Sequence, residues 1–407
     1  MGVLVAVLAF ACPAAASAVL PTGVTGVDAP GLQSGPFITA AGVAWESEGG
    51  IMLTNRGGRS KVLAPPGAHN WEGSVDLAWF GSDWWALARA SGVVGGRIGG
   101  GLRKLPLLRK CTPASPKIEP GLFRVHYAIS GEHLYAALPK PCLPGRHRPQ
   151  GELVEIDLRS GRWRVLARTP RTPDYMVASA RYIALAYSTS KAPGASAGPL
   201  SVRVLDAATG ALAYQVAPPP SSPELPEPNR VSGIQVDDRG DVLVAAESSA
   251  EAPGELAHSA QPAPERSVYW WAQLGAKRGH EVQLGKAAVL SDGRVAFFSA
   301  GGEAIGVKDL HTGTTRTIVR LAGSVSADGP RGEAEGLSLS GNELAWVQQS
   351  SVLQVTRTQF GETCTSVPLS PVEILSVDLR RLPSSPVVVS GAPIPPQYAN
   401  EPVCIEV

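Results

Sequence analysis

The sequence predicts an all-β protein built from seven four-stranded antiparallel units, and three observations predict it. First, a hairpin signature recurs seven times at intervals of roughly 40 to 60 residues, the spacing of repeat architectures. Each copy is a short apolar strand, a tight turn on Gly, Asp or Asn, and an alternating strand: AAGVAWES, GSDWWALAR, SGEHLYAAL, SARYIALAY, DDRGDVLVAA, SDGRVAFFS and SGNELAWVQ. Second, three copies carry Asp-x-x-Ser/Thr-Gly, at Asp157 to Gly161, Asp206 to Gly210 and Asp309 to Gly313. Third, 45 Gly and 36 Pro in 407 residues suit frequent turns, and no stretch keeps the 3.6-residue apolar period for more than about three turns.

The chain opens with a segment outside the repeat. Residues 1–18, MGVLVAVLAFACPAAASA, form an apolar run closed by Ala16-Ser17-Ala18, the A-x-A pattern of a secretory signal peptide. Export is the expectation, to a secreted or cell-envelope location, although the run carries no Lys or Arg. It is shorter than the ~20 apolar residues a bilayer span needs, so no transmembrane segment is predicted. Cys12 is read as discarded with the signal, because the bulky Phe10 suits an acylated cysteine badly. Residues 19–407 then form one domain, bacterial in style by its Ala, Gly, Pro and Arg usage.

The units follow in order. The first, residues 35–66, centres on AAGVAWES. The second, 74–110, joins GSDWWALAR to GVVGGRIGGG, which lacks G-x-G-x-x-G spacing and a Walker lysine and reads as a turn or a thin strand against a neighbour. The third, 121–168, shows four strands as LFRVHYAI, HLYAAL, ELVEIDL and WRVLAR. The fourth, 174–217, carries SARYIALAY and DAATG, and the fifth, 231–284, opens near DDRGDVLVAA. The sixth, 287–321, repeats the order of the third as AAVLS, RVAFFS, AIGVKDL and TTRTIVRL. The seventh, 335–390, runs from SGNELAWVQ through VEILSVDL to a last strand VVVSG. In the Asp-x-x-Ser/Thr-Gly turns, Asp and Ser/Thr are expected to bond nearby backbone amides while Gly takes a positive φ.

Antiparallel sheets of this size bury both faces when packed radially around a channel, which leaves only short edges. The repeat resembles the β-propeller superfamily, especially its TolB-like and WD40-like members, over nearly all of the mature chain. It has no WD dipeptide and no G-H pair. The resemblance implies a propeller of seven four-stranded blades, and nothing more, because propellers host unrelated functions.

After the signal, four cysteines remain, Cys111, Cys142, Cys364 and Cys404, an even number that in an exported chain predicts two disulfides. Cys142 and Cys364 fall between second and third strands, while Cys111 and Cys404 follow fourth strands. In an up-and-down sheet these connections leave at one end, which predicts Cys111 with Cys142 and Cys364 with Cys404. Metal ligation by these cysteines is disfavoured by the absence of C-x-x-C or close Cys/His spacing.

Long inserts gather by the same alternation. Pro139 to Gln150, Ser188 to Pro199, Glu247 to Arg266, Pro218 to Arg230 and Gly323 to Gly332 all leave one face, which predicts a binding module that engages a protein or polymer ligand there. A formal net charge of +1 gives no global field toward nucleic acid or membranes. The expected local basic patch comprises Arg97, Arg103, Lys104, Arg109, Lys110, Lys117, Lys140, Arg146, His147 and Arg148, and nucleic acid is disfavoured because no aromatics interleave with these cations. No cofactor is assigned and a monomer is expected. Trp45, Trp79, Trp84, Trp85, Trp270, Trp271 and Trp346 lie in strands and read as core rather than a sugar platform.

No catalytic residue is assigned. The alternative is a metal-dependent hydrolase or lactonase at the channel, using Glu72, His126, Asp174, Asn229 and Glu335 at first-strand entries. Glu335-Gly336-Leu337 resembles the entry strand of propeller lactonases and phytase-like esterases. A further alternative, a cell-envelope scaffold, is implied by the TolB-like resemblance.

Overall fold

The computed structural model describes residues 20–65, 77–89, 92–105, 126–140, 150–188, 200–220, 230–248, 266–300, 302–322, 325–326, 336–358, 361–368 and 370–390. Seven antiparallel sheets stand in a ring, and the protein is a seven-bladed β-propeller. The innermost strands, in blade order, are Leu32–Thr39, Leu77–Phe80, His126–Ser130, Tyr175–Ala178, Arg230–Val236, Lys286–Ser291 and Leu337–Ser340. Each touches the next, and the seventh touches the first, so the ring closes. Each first strand runs from one end of the ring, here the loop end, to the other, the turn end. Strand directions then alternate outward through the blade.

Burial follows from that radial stacking. The second strands Gly42–Ser47 of blade 1 and Tyr182–Tyr187 of blade 4 are buried at every position, because each blade has a neighbour on both faces. Four tryptophans, Trp45, Trp85, Trp270 and Trp346, are fully buried among aliphatic side chains. They belong to the core, as expected. The glycine-rich segment is the strand Gly92–Arg97 of blade 2. It is thin for a reason: a Cβ on Gly95 would lie 2.6 Å from Leu158 of blade 3.

Blade 7 departs from the expected chain order. Its first three strands are Leu337–Ser340, the start of Glu343–Thr358, and Glu373–Asp378, but its outer strand is Val24–Asp28 from the N-terminus. VVVSG is therefore not its fourth strand. Val387–Ser390 pairs in parallel with Thr315–Ala322 and adds a fifth strand to blade 6. The chain crosses from blade 7 to blade 6 at the turn end through the short 3-10 turn Leu379–Arg381, and Val387–Ser390 carries it back to the loop end.

The closing strand fits closely. A Cβ on Gly26 would lie 2.8 Å from a Leu20 methyl and 2.9 Å from a Leu375 methyl, so a larger residue there would make both leucines shift. Thr25 and Ser376 share a hydroxyl hydrogen bond of 2.8 Å across the strands.

The three Asp-x-x-Ser/Thr-Gly turns form as the sequence predicts. The Asp157 carboxylate accepts from the amides of Arg159 and Ser160, Asp206 from Ala208 and Thr209, and Asp309 from His311 and Thr312. Gly161, Gly210 and Gly313 take φ of 75°, 73° and 72°. These bonds hold all three carboxyls below the usual carboxylate range. The leading causes are the Ser160 amide, the Thr209 side chain and the Thr312 amide respectively. A lowered native pKa adds stability above the unfolded value of about 3.9, and this stability is lost as pH falls through the native value. Each Asp→Ala change is expected to cost about 1 kcal/mol at pH 7, discounted for exposure. Urea unfolding at pH 7 and pH 3 checks this: the gap between parent and variant should shrink in acid, and an equal gap at both pH values would contradict it.

Candidate functional site

The loop end is where the sequence places the long inserts. Strand ends Lys140 and Gln150, Tyr187 and Ser201, and Ser248 and Arg266 are paired there in register, and the inserts leave from them. The inserts themselves, residues 141–149, 189–199, 221–229, 249–265 and 327–335, lie outside the described residues. One connection is described through its backbone. Glu343–Thr358 runs on past the blade and pairs with Gly361–Pro368, from Ser351 opposite Pro368 to Thr358 opposite Gly361. The two form a hairpin arm at the loop end. Cys364 lies on this arm; Cys111, Cys142 and Cys404 are outside the described residues.

Of the five channel residues, Glu72, Asn229 and Glu335 lie outside the described residues, and two can be placed. His126 begins the first strand of blade 3, its ring 6.4 Å from that of Tyr175. Asp174 precedes the first strand of blade 4, next to Tyr175. Its Oδ2 accepts from the Ser188 amide at 2.6 Å and faces Arg171 at 3.9 Å. Arg171 also donates to the Ser188 carbonyl and lies over the Tyr187 ring at 5.4 Å. Asp174 is thus braced within blade 4, with His126 at the entry of the neighbouring blade. Among the described residues, no three of His, Cys, Asp and Glu are grouped to hold a metal.

The turn end holds two polar struts that the sequence reading did not single out. The nearly buried Asp241 carboxylate meets His311 Nε2 at 2.7 Å, and Gln273 Nε2 meets His311 Nδ1 at 3.1 Å. Trp271 lies edge-on at 5.6 Å. Both imidazole nitrogens have partners, and this pair ties blade 5 to blade 6. The neighbouring Asp237 accepts from the Gly293 amide of blade 6 at 2.6 Å, and burial pushes its carboxyl up. In blade 3, Glu155 holds His133 and Arg164, and Arg164 donates to the Ala208 carbonyl of blade 4 at 2.7 Å. The available signal was positional: DDRGD and DLHTG occupy turn-end positions in consecutive units.

Also at the turn end, a groove of about 570 Å³ follows the seam between blades 7 and 1. Arg56 of blade 1 crosses it to Glu343 of blade 7 at 3.2 Å, and Asp378 on its other side holds Arg380 and Arg381. A second hollow of about 270 Å³, bordered by Arg294 and Arg316, shares Asn342 and Arg380 with it. The guanidiniums that border the hollow are engaged as well: Arg294 bonds Asn342 and the Gly341 carbonyl, and Arg316 the Pro383 carbonyl. The groove is a braced seam that holds the N-terminal strand.

The topology and these surfaces define the class, a seven-bladed β-propeller with an elaborated loop end. No family model matches the chain, and no curated protein does. Solved structures with a similar course include U3-55K, at 10% identity and a TM-score of 0.46, covering 87% of this chain and 98% of that one. Another is an oligogalacturonate lyase in complex with manganese, at 8% identity and 0.47, covering 90% and 94%. The tricorn protease gives 10% and 0.43, covering 88% of this chain and 36% of its own.

Proposed function

We propose that the protein is an exported, monomeric binding module whose loop end engages a protein or polymer partner, with Cys111 to Cys142 and Cys364 to Cys404 as disulfide staples. The observation that carries the reading is the hairpin arm, raised at the end of a rigid ring from which the long inserts also leave. Rigid scaffolds display recognition elements in this way because the blades bear the stability while the connections are free to vary. The N-terminal run supports export, and cleavage after Ala18 leaves the closing strand whole.

The test replaces residues 351–368 with a short Gly-Asn turn and compares both proteins, purified from the extracytoplasmic fraction, in crosslinking against their own envelope extract. A partner held by the parent and lost by the variant, with thermal unfolding unchanged, supports the reading. Equal capture by both proteins, or none by the parent, rejects it. The metal-hydrolase reading retains His126 and Asp174 on neighbouring blades, and metal content before and after chelation separates it from the binding reading.

A further inference from the structure

A second surface lies at the turn end, on the outer edges of blades 1 to 3. Lys61 on the outer strand of blade 1 reaches over blade 2, where its Nζ comes within 3.6 Å of the position a Gly99 Cβ would take. Gly99 sits in the turn between Arg97 and Arg103, closed by the Gly100 amide on the Arg97 carbonyl at 2.9 Å. Arg103 in turn reaches over blade 3, its side chain 3.8 Å from the position of a Gly161 Cβ. Gly161 precedes Arg162 and the half-exposed Trp163.

Lys61, Arg97, Arg103, Lys104 and Arg162 therefore make one continuous arc over three blades. All five are exposed, and among the described residues none has an ion-pair partner. Arg159, beside the arc, is different: Glu132 holds it at 3.1 Å. The two glycines at the blade junctions have φ of 83° and 75° and no side chain to interrupt the arc. Of the sequence-predicted basic patch, Arg97, Arg103 and Lys104 are described with their side chains, and they lie at the turn end rather than among the inserts.

We infer that this arc is a docking track for an acidic polysaccharide, laid across the outer edges of blades 1 to 3. Charge complementarity selects a polyanion, since five unpaired cations in a row repel one another until counterions or a ligand neutralise them. An extended chain fits because the cations follow one another across the outer edges of three blades, from Lys61 of blade 1 to Arg162 of blade 3. Trp163, half-exposed at the blade 3 end, gives a stacking surface for a sugar ring, while Trp84, the cross-strand partner of Arg97, is partly buried against the core. Single-stranded nucleic acid draws instead on a series of stacking platforms. The inference is independent of the loop-end reading, because the two surfaces lie at opposite ends of the ring.

The test uses dextran sulfate of defined length, with neutral dextran and single-stranded DNA of matched charge as the other probes, on the full mature protein. Affinity is measured by titration between low and physiological salt. The parent should bind dextran sulfate with a log-log salt slope of about −3.5, from five contacts at the ~0.7 each of single-stranded nucleic acid, taken here for the flexible polysaccharide. Lys61→Ser with Arg103→Ser and Arg162→Ser should lower the magnitude of the slope by about 2 and weaken binding at least ~10-fold. Arg380→Ser with Arg381→Ser, at the blade 7 seam, should leave it unchanged. All five positions are exposed, so circular dichroism of the triple variant should match the parent. An unchanged slope in that variant, equal binding of neutral dextran, or tighter binding of single-stranded DNA would each overturn the inference.

Discussion

A chain that begins at Gly31, lacking the strand Val24–Asp28, is expected to lose roughly 4 kcal/mol or more of stability and to self-associate. The strand is the fourth of blade 7, and Val24 and Leu20 pack into the cluster that contains Leu375, Val377 and Trp346. Withdrawing two or three apolar side chains accounts for the energy at ~1.5–3 kcal/mol each. Self-association follows because Glu373–Asp378 is left with an unpaired edge that can take a strand from another molecule. The comparison is with a chain starting at Val19, by urea unfolding and size-exclusion chromatography. Equal unfolding midpoints and a monomeric truncated chain would show that the ring does not depend on this closure.

The second large effect is at the interface of blades 6 and 7. Trp346→Ala is expected to cost about 3–5 kcal/mol, the range for deleting a large aromatic from a packed core. Trp346 has no exposed surface and shares its cluster with Phe298, Ile305, Leu344 and Leu375. Its indole nitrogen has no hydrogen-bond partner among the described residues, so the loss is of packing rather than of a polar contact. Trp346→Phe should therefore retain most of the stability. Trp163→Ala, at a residue 49% exposed, should change it little. Chemical unfolding of the three variants decides the matter: a Trp346→Ala loss no larger than that of Trp163→Ala would refute the packing account.

How much of this was legible in the sequence depends on the range of the interaction concerned. The hairpins and the Asp-x-x-Ser/Thr-Gly turns were readable because each is decided within a few residues. Asp157, for example, caps amides two and three positions on, and Gly161 supplies the positive φ. The tryptophans were readable as core because a strand between two blades is covered on both faces. The Asp241 and His311 strut was not readable, because its partners lie 70 residues apart and the histidine has no local ligand spacing. The cation arc was half readable. Arg97, Arg103 and Lys104 were visible as a cluster, but the reach of Lys61 to Gly99 and of Arg103 to Gly161 exists only once the blades stand side by side.

The sequence by itself determined the all-β class, the seven repeats and the chemistry of their turns, since period-2 alternation and turn residues act locally. Only the tertiary structure decided which strand completes blade 7 and where VVVSG pairs. An alternating apolar strand can satisfy its hydrogen bonds on any open edge, and VTGVD and VVVSG carry no local mark that tells one edge from another. The choice of Val24–Asp28 for blade 7 joins Thr25 to Ser376 across 351 positions and rests on geometry that forms only when the ring comes together: Gly26 against Leu20 and Leu375, and an outer edge left unfilled.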